Sequence, residues 1–94
     1  MINTIDEYTN ETGKSFYAQW LKSIRDARAR ARIILQVDKM ALGLFGDSQP
    51  IGAGLSELRI HFGPGYRVYY GKESMHKYLL LLGGNNQLSP RTSS

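Results

Sequence analysis

The strongest constraint on this chain is a two-residue alternation on both sides of a Gly-Pro-Gly turn. Leu58, Ile60 and Phe62 alternate with Glu57, Arg59 and His61, then come Gly63-Pro64-Gly65, and then Tyr66, Val68 and Tyr70 alternate with Arg67 and Tyr69. A period of two is that of a strand with one face buried, and two such runs around turn formers predict a β-hairpin. Matching the apolar faces of the arms pairs Phe62 with Tyr66, Ile60 with Val68 and Leu58 with Tyr70. That register leaves a three-residue loop, with Gly65 in the left-handed conformation. A slip by one residue would bury the arginines, so the faces are set.

Helical spacing precedes the hairpin. Residues 2–8 alternate loosely and read as a short strand, and Thr9 to Gly13 holds turn formers with Thr12 as a candidate cap. From Phe16 the pattern becomes helical, with Phe16, Trp20, Leu21 and Ile24 on one face. A second helix is predicted from Asp26, suited to the N-terminus as cap and as charge. Its core face reads Ile33, Val37, Ala41 and Leu44, and Gly43 helps to end it. The two helices make an αα-hairpin. Phe45 to Gly54, with Gly46, Pro50, Gly52 and Gly54, reads as a loop. Gly71 to Ser74 reads as the next turn, and residues 75–82, ending in Tyr78-Leu79-Leu80-Leu81-Leu82, as a central strand covered on both sides. The fold class expected is α+β, with an N-terminal helical hairpin packed on a small antiparallel sheet. Residues 1–84 form one domain, and residues 85–94 form an irregular tail.

Composition narrows the chemistry. The 94 residues hold no cysteine, which excludes disulfides, thiolate metal sites and a cysteine nucleophile. No apolar run nears the ~20 residues that cross a bilayer, and the N-terminus has no signal-peptide pattern, so a cytoplasmic protein is expected. Twelve Lys and Arg against eight Asp and Glu give a net charge of +4, a balance that favours an anionic partner such as nucleic acid.

In the register above, Arg67 lies opposite His61 and Arg59 opposite Tyr69, on the face away from the core. Cross-strand neighbours stand ~5 Å apart, so the four side chains would form one polar patch. Two guanidiniums suit a phosphodiester, since arginine grips phosphate through two hydrogen bonds and stabilises its transition state. Histidine or tyrosine can move the protons of a reaction in which the RNA 2′-hydroxyl is itself the nucleophile, so that no cofactor or metal is required. As surface charges, the same arginines would carry no function, Glu57 pairing with one of them. Tyr66, Tyr70 and Phe62 read as core. Arg25, Arg28, Arg32 and Lys39 form a helical stripe with Gln36, either a solvated face or an electrostatic footprint on ribosomal RNA. Arg30 pairs with Asp26 at i, i+4. His61 and His76 have no spacing that makes a metal site.

These residues resemble a known family. Phe16-Tyr17-Ala18-Gln19-Trp20-Leu21, Arg30-Ala31-Arg32-Ile33, Gly43-Leu44-Phe45-Gly46-Asp47, Ser56-Glu57-Leu58-Arg59-Ile60 and Gly63-Pro64-Gly65-Tyr66-Arg67-Val68-Tyr69-Tyr70 are similar to the phage-derived, HigB-like killer proteins of addiction modules, in the RelE/ParE superfamily. The resemblance spans residues 12–85. It implies a RelE-like fold, a partner antitoxin, often a helix-turn-helix protein, and ribosome-dependent, metal-independent cleavage of mRNA. Arg59 and Arg67 match the family's basic pair, whereas His61 matches no fixed position.

The chain departs from the family after Gly84. The family continues Gly-Gly-Asp/Asn-Lys-Ser-Thr-Gln-x-x-Asp-Ile-x-x-Ala into a closing helix, where this chain reads Asn85-Asn86-Gln87-Leu88-Ser89-Pro90-Arg91-Thr92-Ser93-Ser94. Synonymous codons exist for Asn86 to Ser94 that, with one adenine restored ahead of them, encode Lys-Ser-Thr-Gln-Pro-Lys-Asp-Ile-Lys. A single-base deletion in the gene is therefore expected, with weakened toxicity and an exposed apolar sheet surface that favours self-association. Two other functions stand beside the nuclease: a ParE-like gyrase inhibitor, and an inactive remnant that only binds its antitoxin.

Overall fold

In the computed structural model, which describes residues 2–85, two helices and five strands follow the order β1 (Thr4–Glu7), α1 (Phe16–Ser23), α2 (Ala27–Met40), β2 (Asp47–Gly52), β3 (Leu55–Ile60), β4 (Tyr66–Ser74) and β5 (Lys77–Asn85). The α+β class is as expected, and β1 falls within residues 2–8, where the alternation predicts a short strand; the sheet, expected to be antiparallel, is not wholly so. The sheet order is β1-β5-β4-β3-β2, and it is mixed: β1 runs parallel to β5, and the other neighbours are antiparallel. No helix among the described residues is long and apolar enough to cross a membrane. Residues 86–94, and with them most of the expected tail, lie outside the described residues; Asn85 ends β5.

Local chemistry explains both helix starts. Ser15, not Thr12, caps α1, its hydroxyl accepting from the Ala18 N–H at 3.1 Å. Asp26 caps α2 as expected, accepting from the Arg28 N–H at 2.9 Å. Asp26 is therefore not the partner of the Arg30 side chain, whose guanidinium donates to the Ile24 carbonyl. The inner face of α1 runs Tyr17, Trp20, Leu21 and Ile24, an i, i+3, i+4, i+7 stripe, which leaves Phe16 on its exposed flank. The buried face of α2 is Ala29, Ile33, Val37 and Met40. The helix ends before the expected Ala41 and Leu44, and Leu44 is exposed beyond Gly43, whose φ of +83° breaks the helical path.

Each helix packs chiefly on the sheet, α1 over β5 and α2 against β1 and β3. Leu58, Val68, Ile33 and Met40 are the largest fully buried side chains, each contributing ~1.5–3 kcal/mol through removal from water. Gly83 of β5 lies beneath Trp20, where an added Cβ would sit 2.1 Å from the indole. Asn3 joins β1 to the end of α2: its side-chain amide donates to the Met40 carbonyl at 2.9 Å, and its own N–H donates to Ala41. That satisfies carbonyls that a helix end leaves without intrahelical partners.

Three local expectations are corrected. The segment expected to be a loop contains β2, an edge strand that tolerates Pro50 beside the irregularity between Pro50 and Gly52. The turn expected at Gly71 to Ser74 is part of β4, and Met75 and His76 make the turn instead. β5 is an interior strand, yet only Leu80 of its leucines is buried, and Leu82 is 46% exposed on the face that neither α1 nor α2 covers.

Candidate functional site on the open sheet face

The register of β3 with β4 places the polar residues. Ile60 pairs with Tyr66, Arg59 with Arg67, Leu58 with Val68 and Glu57 with Tyr69. This is a shift of two residues from the expected pairing, and it lengthens the loop to residues 61–65. The faces survive a shift of two, so Tyr66 and Tyr70 are buried as expected and Phe62 packs on the core edge. Gly65 is left-handed, with φ +92°, as expected.

The partners on the open face change. Arg59 faces Arg67 directly, and His61 and Tyr69 fall on opposite sides of that pair. Four residue steps separate the position of His61 from that of Glu57, which faces Tyr69, or ~13 Å at the usual rise. His61 and Tyr69 therefore do not share one patch as expected, and the arginine pair is its centre.

Like charges directly opposite each other destabilise a sheet unless something intervenes. Here Glu57 intervenes. Its Oε2 accepts from Arg67 Nη1 at 3.0 Å and from Arg59 Nε at 3.4 Å, and its side chain is only 7% exposed. A buried carboxylate needs such partners, and two guanidiniums hold it better than one. Arg59 also reaches Gln49 Oε1 on β2 at 3.5 Å. The three charges sum to +1, and each arginine side chain stays about one-third exposed, 35% and 36%. The carboxylate fixes where the guanidiniums stand, with part of each open to solvent, where a phosphate can approach.

His61 is exposed and tied to Asp47, the first residue of β2, through Nε2 and Oδ2 at 2.7 Å. With Nε2 directed at a carboxylate, Nδ1 is the nitrogen left to accept a proton. Asp47 pairs across the strands with Arg59, so the His61–Asp47 pair borders the arginine row. His76 lies elsewhere, with Nδ1 3.4 Å from Asn3 Oδ1, and no group of three His, Asp or Glu suited to a metal occurs among the described residues.

The helical stripe divides. Arg25 precedes α2 and is not on its face; it borders a separate cleft with Trp20, Tyr66 and Gly83. Arg28 is exposed in the first turn of α2, and Lys39 is half-buried in its last turn. Arg32 alone among the four lines a cleft with Arg59 and His61, its guanidinium carbon 5.0 Å from the centre of the Phe62 ring. Sequence reasoning missed Glu57 as the link between the arginines, although the alternation already placed it on their face. Asp47 carries no such signal, because the segment of β2, broken by Pro50 and Gly52, has the pattern of a loop.

No protein-family model matches the chain. It is 36% identical over 69 residues to a Haemophilus influenzae protein described as an uncharacterized protein, the match covering 73% of this chain and 70% of that relative.

Proposed function

The chain belongs to the same family as that Haemophilus protein, and we propose that it is the toxin of a type II toxin–antitoxin pair, an mRNA endonuclease with a RelE/ParE-like, HigB-like fold. The observation that carries the reading is the Arg59–Arg67 pair, held face to face on an open sheet by a buried carboxylate. An inhibitor that works by docking alone needs no such phosphate-sized arrangement. The net charge of +4 and the motifs similar to the HigB-like killer proteins support the same reading.

In this mechanism the scissile phosphate lies over Arg59 and Arg67, which carry the charge that grows on its oxygens. The RNA 2′-oxygen attacks phosphorus, the bond to the 5′-oxygen breaks, and a 2′,3′-cyclic phosphate and a 5′-hydroxyl result. His61, oriented by Asp47, takes the 2′-proton on Nδ1. The departing 5′-oxygen takes a proton from water at this exposed face. The partners proposed are the ribosome with its mRNA in the cytoplasm and a cognate antitoxin, often a helix-turn-helix protein in the similar family.

The test is primer extension on mRNA in a reconstituted translation reaction. Cleavage is expected, with Arg67→Ala reducing it by about 10²–10³-fold, the scale set by losing one transition-state donor. Intact mRNA together with blocked supercoiling by gyrase would replace this reading by the inhibitor. A chain carrying Lys-Ser-Thr-Gln-Pro-Lys-Asp-Ile-Lys at positions 86–94 is expected to cleave faster than the present one.

A further inference from the structure

At the end of the β2–β3 pair, Arg32, Gln36, Asp47, Arg59, His61 and Phe62 line a cleft of about 230 Å³. It joins two parts of the molecule that the sequence keeps apart: the exposed face of α2 and the arginine row of the sheet. Arg59 belongs to both, since it reaches Glu57 on the open face and also lines the cleft.

The charges in the cleft are unevenly satisfied. The carboxylate of Asp47 is engaged by His61 at 2.7 Å, and Arg59 is engaged by Glu57. Among the described residues Arg32 makes no ion pair, and its guanidinium sits over the Phe62 ring. A second guanidinium lining the cleft beside Arg59 raises the local positive potential, which an anion relieves. Gln36 brings neutral polarity: its Oε1 lies where a Cβ on Gly46 would meet it at 3.0 Å, so the amide lies close against the turn that leads into β2. Asp47 and Gln36 supply acceptors for the exocyclic amine of a base, and the Gln36 amide also supplies a donor.

We propose that this cleft holds one nucleotide unit of single-stranded RNA, its phosphate between Arg32 and Arg59 and its base edge against Gln36 and Asp47. The choice of RNA as ligand rests on the function proposed above. A strand whose scissile phosphate lies over Arg59 and Arg67 enters the cleft with its adjoining nucleotide, because Arg59 is common to both places. Arg32 thereby becomes a determinant of substrate binding, set apart from Arg28 and Lys39, which do not line the cleft.

The experiment is fluorescence anisotropy of a labelled six-nucleotide single-stranded RNA with the full chain at fixed ionic strength, without ribosomes. Arg32→Ala is expected to weaken binding about tenfold and Arg32→Lys nearly as much, because lysine keeps the charge but lacks the planar donor fork. Lys22→Ala, which removes one charge from exposed α1, is expected to weaken it less than about twofold. Thermal melts matching that of the unaltered chain establish that the variants fold. Equal losses for Arg32→Ala and Lys22→Ala would reveal diffuse charge attraction and overturn the cleft, as would full binding by Arg32→Lys or no binding by the unaltered chain. Arg32-dependent binding without mRNA cleavage on ribosomes would uphold the cleft and remove the endonuclease reading. Cleavage with Arg32 variants that bind like Lys22→Ala would remove the cleft alone.

Discussion

Glu57 and Arg67 meet diagonally across neighbouring strands, with the buried carboxylate of one 3.0 Å from the guanidinium of the other and Arg59 on the same oxygen. Removing the carboxylate leaves two arginines face to face. Glu57→Ala is expected to cost about 2 kcal/mol in urea denaturation, below the ~3–5 kcal/mol for a fully buried pair because both guanidiniums are one-third exposed. Part of that loss should return in high salt, which screens the repulsion. A variant as stable as the parent at low salt would show that the carboxylate does not hold the pair.

Gly83 and Gly84 are adjacent in β5 but differ in what lies above them. A Cβ on Gly83 meets the Trp20 indole at 2.1 Å, whereas one on Gly84 meets nothing within 4 Å. Gly83→Ala should lower stability by about 2 kcal/mol, the usual range for an overpacked contact, and shift the Trp20 fluorescence. Gly84→Ala should be neutral or slightly stabilising, since alanine loses less backbone entropy in a strand than glycine. Equal melting temperatures for the two variants would mean that Trp20 does not lie on Gly83.

Asn3 is buried and donates to the carbonyl that ends α2. Asn3→Ala leaves the Met40 carbonyl without that donor and should cost about 1–2 kcal/mol. Hydrogen exchange should quicken in the last turn of α2 and in β1, and unchanged exchange there would count against the link.

Tyr17 is 4% exposed, and its phenol is pushed up to about 12, first by burial and then by the nearby charges of Glu7 and Asp38. The folded state therefore holds this proton more tightly than the unfolded chain, whose tyrosines titrate near 10. The stabilisation is complete below pH ~10 and is lost as pH rises through ~12, amounting to about 3 kcal/mol over two units. Denaturation at pH 9 and at pH 11.5 should show a steeper loss for the parent than for Tyr17→Phe. Parallel losses would mean that the Tyr17 phenol titrates alike in both states.

Much of the frame was legible in the chain. The alternation from Glu57 to Tyr70 determined which residues face the core and which face outward, and it put Glu57, Arg59 and Arg67 on one side. Asp26 announced the start of α2 because a carboxylate there meets free N–H groups whatever the rest of the fold does. The same two periods, helical and then alternating, carried the α+β class.

What the sequence by itself determined is the set of faces, because burial repeats every two residues along a strand and about every 3.6 along a helix. What only the tertiary structure decided is which residues meet across those faces. A register shifted by two buries the same side chains, so the alternation could not choose between Arg59 opposite Tyr69 and Arg59 opposite Arg67. The choice depends on β2 and β5 pairing on either side of the hairpin, and β2, interrupted by Pro50, has no strand pattern of its own. The same long-range pairings place Asp47 on His61 and bring Arg32 to the cleft beside Arg59.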